Sequence, residues 1–144
     1  MGSVRILVRK KEILKLTEQI IEAISNLDYN TYSKLCDMNM TCFEPASMGH
    51  LVEGMDYHKF YFNQMAAQLR LESRPSRTIL INPVVYLMGE DAACVAYIRL
   101  TQLIDKQGIP QPRQVEETRV WQKRDGKWLC IHTHLSSSAV RRDP

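Results

Sequence analysis

Apolar residues recur at helical spacing from about Lys10 to Leu27. Ile13, Leu16, Ile20, Ile24 and Leu27 form one stripe, widened by Ile21, while Glu12, Lys15, Glu18, Gln19 and Glu22 make the other side polar. This periodicity predicts an amphipathic helix ending near Asn26. A short second helix is expected over about Thr31 to Cys36, then a short strand from Met40 to Glu44, ahead of Pro45. From about Gly54 to Gln68 the apolar positions again step by threes and fours. Met55, His58, Phe62, Met65 and Leu69 share that stripe, so a second long helix should carry His58 inward. Leu69 to Arg77 is polar, carries Ser73, Pro75 and Ser76, and reads as a loop.

The remaining pattern is that of strands. Thr78–Met88 is the first, and Pro83 within it points to an edge or a bulge. Ala92–Ile104, Arg113–Lys123 and Lys127–Leu135 follow, with Gln107 to Pro112 as a loop. Asp125-Gly126 suits a two-residue hairpin turn, in which both positions need positive φ. If that dipeptide is the whole loop, Trp121 opposes Cys130, Arg119 opposes His132 and Glu117 opposes His134. Alternation would then set all six on one face, a concave polar pocket or a subunit contact, with Glu117, Arg119 and His132 as candidates to line the pocket. Helices followed by antiparallel strands make an α+β fold: a curved sheet wrapped around a long N-terminal helix, with a cavity between them.

Composition narrows this picture. The chain has 144 residues, 44% of them apolar, which bounds it to one domain with a real core. Nineteen basic residues intermix with sixteen acidic ones, and a net charge of +3 does not point to nucleic acid. The run Ile79 to Met88 is interrupted by Asn82-Pro83 and too short for a bilayer, so no membrane partner is expected. No secretory signal is evident. Cys36, Cys42, Cys94 and Cys130 are scattered, which favours reduced thiols and a cytoplasmic location over two disulfides in a secreted domain. The sequon Asn39-Met40-Thr41 has no meaning without secretion. Residues 1–9 are expected to be a cloning remnant (Met1-Gly2-Ser3) and linker, 10–136 the domain, and 137–144 a flexible tail. Val4, Ile6 and Val8 alternate with Arg5, Leu7 and Arg9, so that linker is either disordered or a strand able to add to an exposed sheet edge.

Arg99 lies in the apolar run Val95 to Leu100 and needs a partner, because a buried unpaired guanidinium costs several kcal/mol. Glu117 lies two residues before Arg119 on one strand face and is an obvious partner for it. In one reading Glu117 and Arg119 form a structural ion pair and Arg99 pairs with another carboxylate such as Glu53. In the other the arginines keep donors for an anionic ligand. His58 is either a satisfied core histidine or a pocket group. His132 and His134, with Cys130, are too few for a zinc site, so neither a metal nor a cofactor is expected. Apolar residues on both faces of the last hairpin favour an oligomer, with Val120, Leu129, Ile131 and Ile109 as contact candidates.

Several local words then carry a family resemblance. They are Glu18-Gln19, Glu22-Ala23-Ile24-Ser25-Asn26, Phe43-Glu44-Pro45, Leu51-Val52-Glu53-Gly54, His58-x-Phe60-Tyr61-Phe62 and Asn82-Pro83. Ala96 to Gln102, Glu116 to Trp121 and Arg124-Asp125-Gly126-Lys127-Trp128 complete them. In that order and spacing, from about Val8 to Ser136, the chain resembles the association (hub) domain of calcium/calmodulin-dependent protein kinase type II. The resemblance implies a cone-like fold of the nuclear-transport-factor-2 type. It implies a non-catalytic oligomerisation domain that assembles subunits into a two-tiered ring, dodecameric or tetradecameric, around which the parent chain's kinase and regulatory segments are held. The parent would be a calmodulin-binding serine/threonine kinase. No kinase motif is present here: there is no Gly-rich phosphate loop, His-Arg-Asp or Asp-Phe-Gly. The resemblance also implies a cavity lined by arginines and a histidine that takes small carboxylates, with His58, Arg99 and Arg119 at the matching positions. The chain departs from the family's pattern in the longer stretch Asn63 to Arg77, in Val84 and Tyr86, and in Leu135 where an arginine is usual. An isomerase-like role, with His58 as base and Arg119 as electrostatic stabiliser, is the alternative on this fold.

Overall fold

The computed structural model describes residues 2–72 and 76–137, with the side chains of 66–72 and 76 outside that description. A long helix α1 (Gly2–Ser25) leads into a short α2 (Tyr29–Leu35) and strand β1 (Cys36–Phe43). A single 3-10 turn (Pro45–Ser47) and a two-residue β2 (Val52–Glu53) precede α3 (Asp56–Glu72). Four long strands close the chain: β3 (Ser76–Leu87), β4 (Ala92–Ile104), β5 (Pro110–Arg124) and β6 (Lys127–Ser137). The six strands form one sheet in the order β2-β1-β6-β5-β4-β3. The expected α+β architecture is met, with one correction: β1 and β6 run parallel, so the sheet is mixed.

The predicted helical stripe is the one that packs. Ile13, Ile20 and Ile21 are buried and cluster with Ala93, Val95, Trp121 and Cys130 of the sheet. Thr17 lies between them. Its Oγ1 donates to the carbonyl of Ile13 at 2.9 Å and accepts the indole N–H of Trp121 at 3.1 Å. Helix and sheet are thus joined by a polar contact inside an apolar interface.

Residues 2–9 are helical, neither a disordered linker nor a strand. Arg5 and Arg9 stand one helical turn apart, and both reach the β3–β4 turn. Arg5 Nη2 lies 2.8 Å from a Glu90 carboxylate oxygen, and Arg9 Nη2 donates to the carbonyl of Gly89 at 2.5 Å. These contacts with a distant turn, rather than the alternation of Val4, Ile6 and Val8, which remain exposed, accompany the helical start.

The expected 69–77 loop is shortened, because α3 runs to Glu72 and β3 begins at Ser76; the residues between lie outside the described ones. The expected tail beyond Ser137 and the side chain of Leu69 also lie outside them. On α3, Phe62 packs against Tyr29 and Tyr32, while Met65, expected on the same stripe, is half exposed. The Gln107–Pro112 loop contracts to a turn before Pro110, whose ends are tied by Asp105 Oδ1 accepting the N–H groups of Gln107 and Ile109. Pro83 behaves as expected on both counts: β3 is an edge strand, and its register breaks between Ile81 and Val84.

Candidate functional site

The last hairpin turns at Asp125-Gly126 with φ of 52° and 76°, as the turn chemistry requires. Trp121 duly pairs with Cys130. One step further the register shifts, so that Val120 pairs with His132, Arg119 with Thr133, Thr118 with His134 and Glu117 with Leu135. Ile131 is the extra residue, a β-bulge that reverses the faces of everything after it on β6. The expected face of six is therefore corrected. Trp121, Cys130, Arg119 and Glu117 point inward, and Thr133 and Leu135 take the inward places expected for His132 and His134.

On the inner face, β4 supplies Tyr97 and Arg99, and β5 supplies Glu117 and Arg119. Glu117 is fully buried, and its two oxygens divide the partners. Oε1 lies 2.6 Å from Arg99 Nη2, while Oε2 accepts the Tyr97 hydroxyl and lies 3.7 Å from Arg119 Nε. Arg119 Nε also donates to the Tyr97 oxygen at 3.0 Å, and its Nη1 lies 3.6 Å from Cys130 Sγ. The partner of Arg99 is thus Glu117, not Glu53, which sits on β2 opposite Thr41. Burial would raise the Glu117 pKa, but the charges of Arg119 and Arg99 and the hydrogen bond from Tyr97 outweigh it and hold the carboxyl below the usual range. Tyr97 was not anticipated. Its place two residues before Arg99, hence on the same face of β4, was the available signal.

His58 comes from α3 and is buried. Its Nδ1 lies 3.2 Å from the Tyr32 hydroxyl. Burial, and secondarily the charge of Arg119, push its pKa down to about 4, so it is neutral at ordinary pH. Among the described residues, the buried polar atoms without a hydrogen-bond partner include His58 Nε2, Arg99 Nε and Thr133 Oγ1, with Trp128 Nε1 near the start of β6. Among the described residues, no three His, Cys, Asp or Glu side chains gather as metal ligands.

On the outer face, the buried residues of β4 (Ala93, Val95, Tyr97) alternate with half-buried ones (Cys94, Ala96, Ile98) that point away from α1. Cys94 pairs with Val120 and Tyr86, and Leu129 pairs with Gln122, so Val120 and Leu129 share this face. Ile131 sits at the bulge. Ile109 lies at the β4–β5 turn, at the other end of β5 from Val120, so the structure does not bring it together with the others. His132 also faces outward, with Nδ1 2.7 Å from Thr41 Oγ1, and Phe43 lies against both outer imidazoles.

A family model described as the calcium/calmodulin dependent protein kinase II association domain matches residues 9–139. The chain is 55% identical over 130 residues to the delta subunit of rabbit (Oryctolagus cuniculus) calcium/calmodulin-dependent protein kinase type II. That match covers 90% of this chain and 24% of the rabbit protein, so the chain spans about a quarter of its length. Among solved structures, the association domain of the C. elegans kinase superposes with a TM-score of 0.80 at 44% identity, covering 90% of this chain and 96% of that one. An NTF2-like protein from Pseudomonas putida, at 19% identity and a TM-score of 0.70 over 90% and 87% of the two chains, shares the fold.

Proposed function

The chain belongs to the calcium/calmodulin-dependent protein kinase II association-domain family, and from that premise we propose that it joins copies of a longer kinase chain through the outer face of its sheet. The observation that carries this is an apolar surface where a monomer should be polar. Ile79, Val84 and Tyr86 of β3 are 40%, 47% and 56% exposed, and they continue into Ile98, Val120 and Leu129 on the same face. The proposed assembly is the two-tiered ring of twelve or fourteen copies in the cytoplasm, with kinase and regulatory segments at its rim. The domain itself performs no catalysis. Native mass spectrometry tests it: a discrete high-order species is expected at micromolar concentration, and a monomer there overturns the reading.

A subordinate role rests on the inner cluster. Two permanent cations, Arg99 and Arg119, meet one carboxylate there, which leaves one net positive charge beside a neutral His58. Arg99 Nε and Thr133 Oγ1 supply donors suited to a small carboxylate. Leu135, opposite Glu117, adds none. Titration calorimetry with butyrate should show binding that Arg99→Gln abolishes; no heat with the unaltered chain overturns it.

A further inference from the structure

The bulge at Ile131 does more than correct a register. It moves both imidazoles of β6 from the interior to the outer face, where His132 pairs with Val120 and His134 with Thr118. The pair lies against the Phe43 ring, at centroid distances of 5.9 Å and 5.3 Å. They are therefore titratable groups set within a face that is otherwise largely apolar.

We propose that the His132–His134 pair makes self-association sensitive to acid, with copies joined while the pair is neutral and released when it takes on charge. This rests on the association reading above, since the histidines act only if their face is the contact. Symmetry strengthens the effect. In a two-fold contact between identical faces, each charged pair meets a second copy of the same face, so charge enters the contact from both sides. Burying an unpaired charge there is strongly unfavourable, whereas a neutral imidazole is tolerated.

The groups around the pair do not cancel that charge. From β1 they are faced by Thr41 and Phe43, and the Thr41 hydroxyl can either donate or accept, so it does not fix the protonation state of His132. From β5 they are faced by Val120 and Thr118, with Glu116 one pair further along, opposite Ser136. On β2, Glu53 stands beside Thr41. Glu53 and Glu116 are both exposed, and their attraction is screened by solvent and salt. Glu44, next to Phe43, already accepts the Tyr57 hydroxyl. Burial, and then the charge of His134, lower the His132 pKa below that of an ordinary histidine.

The test compares the full 144-residue chain with His132→Gln/His134→Gln and with His134→Gln alone. His134 is exposed, so the single variant should fold, and glutamine at 132 can still bond Thr41. Mass is read by light scattering at about pH 7.5 and about pH 5.5, with circular dichroism to confirm that each sample is folded. The unaltered chain should lose affinity for itself by about tenfold or more on acidification, the double variant should lose much less, and the single variant should fall between them. If all three respond alike, or if the unaltered chain stays assembled in acid, the inference fails while association stands. A chain that is monomeric at about pH 7.5 sinks the association reading itself.

Discussion

Arg99 reaches from β4 to set its Nη2 2.6 Å from Oε1 of Glu117 on β5. The same carboxylate lies beside the fully buried Arg119 and accepts the Tyr97 hydroxyl, so one anion serves two cations and a phenol. Glu117→Gln should therefore cost far more than a surface ion pair, because it leaves two guanidinium groups in the interior with no opposite charge. Removing one partner of a buried pair costs about 3–5 kcal/mol. Urea unfolding checks this, and a loss below about 1 kcal/mol would show that the cluster is not held by charge.

Stability should fall in acid, and the buried His58 and Glu117 set the window, with the half-buried His132 adding to its upper part. The His58 pKa is pushed down to about 4, below the ordinary 6.5 of the unfolded chain. Between those values the unfolded chain binds the extra proton, so stability rises with pH, and it is lost as pH falls from about 6.5 toward 4. Glu117 is depressed as well, so its contribution is present above the ordinary carboxylate range and is lost as pH falls below it. The two act in sequence and in the same direction. His58→Gln should flatten the upper part of the profile, where each pH unit is worth at most about 1.4 kcal/mol, and leave the lower part. Urea midpoints taken across that range decide the matter: an unchanged upper slope would mean that His58 is not the titrating group.

Much of this was legible because it is periodic. The stripe of Ile13, Ile20 and Ile21 and the alternation along β4 are local signals, and the positive φ at Asp125 and Gly126 follows from residue type. The bulge at Ile131 was not legible. Its strand reads as a smooth run, and a one-residue slip leaves no mark in composition while exchanging faces for every residue beyond it. His132 was misplaced for that reason. The partner of Arg99 was missed for another: cross-strand neighbours depend on the β4–β5 register, set by a turn that tightens around Asp105. The helical start at residues 2–9 depends on long-range contacts of Arg5 and Arg9 with a turn some eighty residues away.

Trp121 gives its indole proton to Thr17 in a region with no solvent access for either residue. Thr17→Val keeps the shape and removes the acceptor, leaving a buried N–H unsatisfied. The expected cost is about 1–3 kcal/mol, while Thr17→Ser, which keeps the hydroxyl, should lose less. Equal losses for valine and serine would assign the effect to packing instead. Trp121 fluorescence reports whether the indole has moved.

The proposed association face allows fold and assembly to be tested separately. Val120 and Leu129 are half-buried on the side of the sheet away from α1. A lysine at either place can extend its ammonium into water in a lone copy, so the fold should change by little more than about 0.5 kcal/mol. In an assembled copy the same ammonium would be shut between two sheets, at a cost of several kcal/mol. Val120→Lys and Leu129→Lys should therefore lower the assembled mass sharply while circular dichroism stays unchanged. Ile109→Lys makes the informative comparison, because Ile109 is 55% exposed at the far end of β5. If it breaks the assembly and the other two do not, the contact lies at the β4–β5 turn and the outer sheet face is only a surface.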